Sequence, residues 1–298
     1  MPEKPLFYFI INPKSGKGNP TGLAELIQTN AQQVDADVRI MLTEGPGDIQ
    51  KIALQGVQEK AAVVAVAGGD GSVHEAVQAL TNSRTALGVI PMGSGNGFAN
   101  HFGMPKQKKQ AIQNILQNNT IRIDTLRIND RICASTAGFG FDAHIAHLFS
   151  TYGKRGFSSY VKLVLREYRS YHEQPFHLEM DGKTIDFTAL LLSFTNTREF
   201  GNHASIAPLA DAQDGLMEIG ILHRLPVYAI PLNTIRLFTQ HLHRSPYFTH
   251  YRAKQARVKL DAPTAMHIDG EPYVMEDIVD FEILPNSLNI IQRRVYTD

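Results

Sequence analysis

The feature that most constrains the fold is an apolar segment, residues 62–67, that runs directly into the turn 68–72. A strand without a polar residue is typical of the middle of a parallel sheet, where helices cover both faces. The adjacent Gly68 and Gly69 let the backbone bend sharply and approach a ligand, because neither has a Cβ. A helix predicted over 73–80 directs its first unpaired N–H groups at the same turn. This layout predicts a phosphate-binding turn, in which the Asp70 carboxylate suits a bridging magnesium ion or a proton acceptor.

The first ~120 residues alternate between strand and helix patterns, which predicts a doubly wound α/β domain with a mostly parallel sheet. Ligands bind beyond the carboxyl ends of such strands. Loops rich in glycine, asparagine and hydroxyl groups follow four predicted strand ends, so we expect these loops to share one edge. The predicted strands are 6–11, 38–43, 62–67 and 86–90, and the predicted helices are 22–32, 48–58 and 73–80.

After about residue 121 the pattern changes to short alternating segments joined by turns such as Asn129-Asp130 and Asp181-Gly182. This pattern predicts a mainly antiparallel, β-sandwich-like domain. Helical insertions are predicted at 144–171 and 227–241. The predicted domains are therefore 1–124 and 125–298, and the extreme C-terminus is expected to pack back on the first domain.

The composition bears on the partners and the compartment that we expect for the protein. The 298 residues include 29 basic and 29 acidic side chains, and this balance gives no sign of a nucleic-acid partner. The single Cys133 lies in an apolar run and is predicted to be a buried thiol in a reducing compartment. The N-terminal apolar run is far shorter than the ~20 residues of a membrane span, so we expect a cytoplasmic chain.

Two further loops carry residues suited to a nucleotide. The loop 12–18 is small and basic, but it lacks the glycine spacing of a Walker A motif. The loop 91–97 places Ser94 among glycines, and with Gly68 and Gly69 it would clamp a polyphosphate from two sides. Thr43 is a weaker candidate, because hydroxyl groups also serve as helix caps.

The second half offers two acidic loops and a basic segment, each with two interpretations. In 207–216, Asp211 and Asp214 suit an oxygen shell for magnesium, or they belong to a surface turn. In 267–271, Glu271 is a general-base candidate, although spacing alone favours a plain Asp-Gly hairpin. The basic segment 241–259 faces either a membrane or bulk water.

Six motifs occur in order over nearly the whole chain: NPKSG at 12–16, GGDGSVHE at 68–75, PMGSGN at 91–96, GFGFDA at 138–143, PLADAQDG at 208–215 and DGE at 269–271. Together they resemble the diacylglycerol kinase catalytic-domain family, which includes bacterial lipid kinases, sphingosine kinases and ceramide kinases. GGDG alone is shared with NAD kinases and phosphofructokinases, whereas the ordered set is specific.

The resemblance implies a magnesium-requiring transfer of the γ-phosphoryl group of ATP to a lipid hydroxyl. It implies that Asp214, with the carbonyls of Asp211 and Leu216, holds a metal, that Glu271 is the general base and that Asp142 contacts the lipid acceptor. Asp70 would organise metal and phosphate, while sphingosine-kinase-like members use that aspartate as base. The implied ATP-binding positions are Asn12, Ser15, Thr43, Gly68, Gly69, Asp70, Gly71, Ser72, Val73, His74, Glu75, Gly93 and Ser94.

The resemblance leaves the acceptor open among diacylglycerol, a sphingoid base and another long-chain alcohol. The pair His74-Glu75 and the sequence GSGN lean towards sphingosine and ceramide kinases. The implied partners are ATP and a membrane lipid, with transient contact at the membrane surface; a homodimer is compatible with the sequence. Two alternatives stay open: a kinase of a soluble metabolite that shares GGDG, and a non-catalytic nucleotide-binding regulator.

Overall fold

A computed structural model describes residues 4–16, 20–151, 157–201 and 204–292. The chain divides into two compact units. Unit 1 comprises Met1–Ile123 and Asn286–Asp298, and unit 2 comprises Asp124–Pro285. The expected fold class, an α/β first domain followed by a mainly antiparallel β domain, is confirmed.

Unit 1 alternates strands and helices. Its elements are β1 (Leu6–Ile11), α1 (Pro20–Ala31), β2 (Asp37–Leu42), α2 (Asp48–Gln58), β3 (Val63–Gly68), α3 (Asp70–Leu80), β4 (Ala86–Pro91), α4 (Gly97–His101) and α5 (Lys108–Leu116). The strands pair in parallel in the order β2-β1-β3-β4. Every residue of β3 is buried, as its apolar sequence predicts. Because the register aligns Ile11 with Ala67 and Gly68 with Pro91, the loops after β1, β3 and β4 begin at one level of the sheet.

Helix α3 begins at Asp70, three residues earlier than the sequence pattern predicts. Gly69 precedes it in an extended conformation, and the Ser72 and Val73 N–H groups donate to the Gly69 carbonyl at 3.0 and 3.2 Å. Apolar periodicity could not find this start, since residues 70–72 carry no apolar side chain. Asp70 therefore belongs to the first turn of the helix, where a carboxylate is favoured by the helix dipole.

Unit 2 is mainly antiparallel, and two strands run across the boundary between the units: β5 (Thr120–Ile128) and β18 (Ile278–Ile291). Its other elements are β6 (Arg131–Cys133), β7 (Thr136–Gly140), α6 (Phe141–Thr151), α7 (Phe157–Glu167), β8 (Gln174–Met180), β9 (Lys183–Ala189), β10 (Leu191–Thr195), β11 (Glu199–Gly201), β12 (Ala204–Ser205), β13 (Met217–Leu222), α8 (Ile230–Phe238), β14 (Phe248–Ala253), β15 (Gln255–Lys259), β16 (Thr264–Ile268) and β17 (Glu271–Met275).

The main sheet of unit 2 has the strand order β14-β13-β10-β7-β16-β17. The first residues of β18 pair with β15, which pairs with β8 and then β9. A shared hydrophobic core contains Phe139 of β7, Phe194 of β10 and Phe281 of β18. The Phe194 and Phe281 rings stack with their centroids 3.6 Å apart.

The long strand β18 was not predicted at its full length. It contains Pro285 and Asn286, residues that ordinarily mark a turn, and Asn286 has a positive φ of 50°. These two residues interrupt the alternating pattern on which strand prediction depends. Within the described ranges, no helix combines the length and the apolar character needed to cross a membrane.

Phe194→Ala is expected to destabilise unit 2 by about 3–5 kcal/mol, because it removes a fully buried ring from a close-packed core. Urea unfolding followed by tyrosine fluorescence should give a clearly lower midpoint. Leu54→Ala on α2, where the side chain is 48% exposed, is the control and should change stability by less than about 0.5 kcal/mol. Equal midpoints for the two variants would contradict this account of the core.

Candidate functional site

Three loops of unit 1 pack directly against one another at the carboxyl ends of β1, β3 and β4. The Asn12 N–H donates to the Ala67 carbonyl at 3.1 Å, and the Met92 N–H donates to the Gly68 carbonyl at 2.8 Å. A Cβ on Gly16 would stand 2.6 Å from the Met92 carbonyl oxygen. The expected convergence of these loops is therefore present in the structure.

Backbone packing at the centre of these loops leaves no room for side chains. A Cβ on Gly93 would lie 2.7 Å from the Gly69 Cα, and a Cβ on Gly69 would lie 3.1 Å from the Gly93 Cα. A Cβ on Gly68 would collide with the Ser72 side chain, at 2.1 Å from its Oγ. The loops after β3 and β4 thus meet backbone against backbone, and this contact region forms a surface at the start of α3.

Asp70 lies beside this surface. Its Oδ1 accepts a 3.4 Å hydrogen bond from the Phe98 N–H in the first turn of α4, and its Oδ2 lies 3.0 Å from the position of a Cβ on Gly95. Asn96 closes the intervening loop, because its Oδ1 accepts from the Gly93 N–H at 2.9 Å and its Nδ2 donates to the Gly93 carbonyl at 2.7 Å. Ser94 lies exposed between them. Asn96 is a positioning residue that was not among the predicted contacts, although its position in the glycine-rich loop is a signal for such a role.

The first loop brings two predicted residues into the same group. The Asn12 Nδ2 donates to the Ser72 Oγ at 3.4 Å, and the Asn12 Oδ1 accepts from the Lys14 N–H at 3.0 Å. The Ser15 Oγ lies 3.6 Å from the position that a Cβ on Gly68 would take. Asn12, Ser15 and Ser72 are therefore gathered at the phosphate-binding turn.

Other predicted contacts occupy different positions. Thr43 is buried after β2, where its N–H donates to the Ile11 carbonyl at 3.0 Å. The Glu75 Oε2 accepts from the Gly47 N–H at 3.0 Å and so fixes the loop that leads into α2. The Val73 and His74 side chains are both buried, and only their backbone groups belong to the start of α3. His74 is thus an interior residue of unit 1.

In unit 2, Glu271 is the first residue of β17 and is exposed. The turn before it is fixed by Asp269, whose carboxylate accepts from the N–H groups of Ala134, Ser135 and Thr136 at 3.0, 2.8 and 3.2 Å. The Asp269 N–H donates to the Thr136 carbonyl at 2.7 Å. The predicted Asp-Gly hairpin is present, and its aspartate fastens the turn to the segment before β7.

The Asp269 carboxylate also lies beside the thiol of Cys133. The thiol is fully buried, as expected, and its Sγ lies 3.2 Å from the Asp269 Oδ1. Burial raises the pKa of the Cys133 thiol well above its usual value, and the negative charge of Asp269 raises it further. Cys133 is therefore a neutral structural thiol.

Asp142 is buried at the start of α6 and is engaged by two neighbours. Its Oδ1 accepts from the Ala143 N–H at 2.7 Å, and its Oδ2 lies 3.0 Å from the Nε2 of His267, which is also buried. The His267 Nδ1 accepts from the Gly270 N–H at 3.4 Å, which assigns the ring proton to Nε2. In this geometry His267 donates to Asp142 and links α6 to the hairpin that carries Glu271. A lipid contact for Asp142 stays a prediction.

The loop that carries Asp211 and Asp214 is anchored by Asp124, a fully buried residue of β5. The Asp124 Oδ2 accepts from the Gly215 N–H at 2.8 Å, and the Asp124 N–H donates to the Ala212 carbonyl at 2.7 Å. Asp124 was not a predicted site residue, although an acidic residue on the buried face of a strand is a recognisable signal.

The carboxylates of this loop already have partners. Asp211 accepts from the Gln213 N–H at 3.1 Å, and the Asp214 Oδ1 accepts from the Leu216 N–H at 3.0 Å. The Asp214 Oδ2 forms an ion pair with Arg252. Among the described residues, no group of three or more His, Cys, Asp or Glu side chains is arranged to hold a metal ion. The predicted metal role of Asp211, Asp214 and Leu216 stays a prediction.

Two family models match the chain. Residues 6–128 match the diacylglycerol kinase catalytic domain, and residues 135–292 match the YegS C-terminal NAD kinase beta sandwich-like domain. A diacylglycerol kinase from Mycobacterium tuberculosis is 31% identical over 218 residues, which cover 70% of this chain and 71% of that protein. A probable lipid kinase YegS-like from Shewanella frigidimarina is 24% identical over 264 residues, covering 86% of this chain and 84% of that protein.

A solved structure of a putative diacylglycerol kinase from Bacillus anthracis has the same fold. It superposes with a TM-score of 0.80 and 21% sequence identity, over 96% of each chain. The similarity extends through both units, as the ordered motifs predicted.

Asp269→Asn is expected to lower the stability of unit 2 by about 1–3 kcal/mol, because an amide cannot accept from all three backbone N–H groups. Chemical unfolding of Asp130→Asn, which changes an exposed carboxylate on the neighbouring turn, provides the matched control and should be close to wild type. The anchoring role of Asp269 is wrong if the two variants unfold at the same denaturant concentration.

Proposed function

This chain belongs to the diacylglycerol kinase family, and from that premise we propose that it transfers the γ-phosphoryl group of ATP to the hydroxyl group of a membrane lipid. The observation that carries the proposal is that three loops in unit 1 converge on a backbone surface at the N-terminus of α3. Phosphoryl transfer depends mainly on positioning and charge stabilisation, and such a surface supplies both.

In the proposed complex, the ATP phosphates lie against the backbone of Gly68, Gly69 and Gly93, at the N-terminus of α3. The unpaired N–H groups at the start of α3 and the helix dipole favour negative charge at this position. Asn12 and Ser15 contribute side-chain hydrogen bonds from the first loop. Thr43 lies after the next strand and fits a contact further along the nucleotide.

Asp70 fits a role in binding the magnesium ion that accompanies ATP. Mg²⁺ in phosphoryl-transfer sites commonly takes one or two carboxylates, phosphate oxygens and water, so a single partly exposed aspartate beside the phosphate loops suffices. When bound, the ion neutralises phosphate charge as it develops. The loop with Asp211 and Asp214 fits a cation less well, because Arg252 would have to leave Asp214. No step is assigned to that loop.

Glu271 is proposed as the general base. Its carboxylate takes the proton of the lipid hydroxyl while the hydroxyl oxygen bonds to the γ-phosphorus. The bond from that phosphorus to the β–γ bridging oxygen breaks, and ADP leaves with the bonding electrons. The fixed turn at Asp269 holds the base in place, and its exposure keeps it accessible to substrate.

Diacylglycerol is proposed as the first acceptor to test, ahead of a sphingoid base. The relatives named diacylglycerol kinase support it. The lean towards sphingosine kinases came partly from His74, whose side chain is buried within unit 1 and so gives little support to a role in acceptor choice. Asp142 is buried and bonded to His267, which gives little support to a direct contact between Asp142 and the acceptor.

Incubation with labelled ATP, Mg²⁺ and a panel of diacylglycerol, sphingosine, ceramide, NAD and a sugar phosphate should label diacylglycerol. Glu271→Gln should lose at least about a hundredfold in kcat, the lower range for a general base, and still bind ATP. Label on NAD or the sugar phosphate alone would support a soluble-metabolite kinase. Absence of any transfer, with ATP still bound, would support a non-catalytic regulator.

Gly93→Ala is expected to weaken ATP binding at least about tenfold, which corresponds to ~1.4 kcal/mol. The added Cβ would lie 2.7 Å from the Gly69 Cα and force the two loops apart. Gly45→Ala is the matched control, since a Cβ at that position has nothing within 4 Å. Calorimetric titration with Mg²⁺ and a non-hydrolysable ATP analogue measures both, and equal affinities would remove the phosphate surface from this proposal.

A further inference from the structure

Helix α8 and the 3₁₀ turn before it, Val227–Ala229, turn their large apolar side chains outward. Val227 and Tyr228 are 83% and 81% exposed. Leu232, Ile235 and Phe238 follow at helical spacing and are exposed by 52%, 58% and 40%. A surface helix normally buries its apolar stripe, whereas these five apolar side chains are exposed. These five residues are called the α8 face.

The inward side of the helix combines a buried polar residue with a packed leucine. Asn233 is its buried residue, with its Nδ2 donating to the Ala229 carbonyl at 2.8 Å, and Leu237 packs against a cluster that includes Leu191 and Leu242. These contacts hold the helix on unit 2. The outward apolar side chains are therefore not required for its attachment.

The polar groups on the exposed side are already satisfied by the helix itself. The Thr234 hydroxyl donates to the Ile230 carbonyl at 2.9 Å, and the Thr239 hydroxyl donates to the Ile235 carbonyl at 2.8 Å. Because these donors have acceptors within the helix, covering this side with an apolar medium leaves neither hydroxyl without a hydrogen bond.

The segment of sequence that carries the α8 face has charged side chains of one sign. Residues 219–260 contain no Asp or Glu and seven cationic side chains, namely Arg224, Arg236, Arg244, Arg252, Lys254, Arg257 and Lys259. Arg252 and Arg257 pair with carboxylates from other segments. In the described part of the chain, Arg236 on α8 and Arg244 in the 3₁₀ turn that packs on it have no carboxylate partner.

We propose that the α8 face docks on the surface of an anionic phospholipid bilayer. Exposed apolar and aromatic side chains bordered by arginine are the combination that binds the headgroup region of such a membrane. Tyr228 suits that region, because its ring is apolar and its hydroxyl lies 3.2 Å from the Tyr247 hydroxyl. The inference deepens the proposed function, on which its purpose rests, by naming the surface that meets the membrane.

A second copy of this chain fits the face less well. Twofold pairing would bring the same patch of both copies together and gather the Arg236 and Arg244 charges of both copies at one interface. Like charges at an interface are unfavourable unless acidic groups intervene, and residues 219–260 supply none. Charge complementarity therefore favours the anionic bilayer.

Sedimentation with vesicles tests the proposal without nucleotide or substrate. The full chain should bind vesicles of 70% phosphatidylcholine and 30% phosphatidylglycerol, and binding should weaken with added salt. Ile235→Asp should reduce the partition coefficient at least about tenfold. Leu54→Asp, a comparably exposed apolar residue on α2 of unit 1, should bind like wild type.

A charge variant separates the electrostatic part. Arg236→Glu with Arg244→Glu should abolish the preference for anionic vesicles, whereas Lys109→Glu with Lys106→Glu in unit 1 should keep it. Thermal melting verifies that each variant is folded. Equal vesicle binding by wild type and Ile235→Asp overturns the proposal, and so does a dimer in sedimentation velocity that Ile235→Asp dissociates. Vesicle binding that persists when no lipid is phosphorylated leaves this surface standing and refutes only the kinase function.

Discussion

Close backbone contact between Gly69 and Gly93 is the constraint on which the arrangement of the loops at the carboxyl ends of β1, β3 and β4 depends. A Cβ on Gly93 would lie 2.7 Å from the Gly69 Cα, and this close approach sets the spacing of the loops after β3 and β4. Gly69 follows β3 directly and is the N-cap residue of α3, so this contact lies at the start of that helix. Asp70 is then held in the first turn of α3, where its carboxylate accepts from the Phe98 N–H.

The architecture of unit 1 was accessible from sequence because each of its signals is local. The apolar run before Gly68 specifies a strand covered on both faces, and loops that follow parallel strands must meet at one edge. The start of α3 was harder to predict from the sequence. Residues 70–72 carry no apolar side chain, so the apolar periodicity of the helix does not extend to its first turn. Side-chain direction was not accessible either: Val73 and His74 belong to the motif, yet their side chains point into the core.

In unit 2 the residues that sequence reasoning missed are carboxylates that act across long sequence separations. Asp124 accepts from Gly215, and Asp269 accepts from the backbone of 134–136. A pattern of neighbouring residues contains no information about such partners, so Asp269 looked like an ordinary turn residue. Both carboxylates accept hydrogen bonds from backbone N–H groups of segments far away in the sequence. Asp124 and Asp269 therefore position the loops that carry Asp214 and Glu271.

The balanced charge of the whole chain conceals a marked local imbalance. The 29 basic and 29 acidic side chains balance over the whole chain. All Asp and Glu residues lie outside the segment 219–260, in which every formally charged side chain is basic. Electrostatic attraction between exposed charges decays over about 10 Å at moderate salt. A binding surface consequently responds to the charges within that distance and not to the total. Net charge near zero limits long-range steering, but it places no limit on the sign of the field at the α8 face. For a chain that meets a large charged surface, the distribution of charge along the sequence is the more informative quantity.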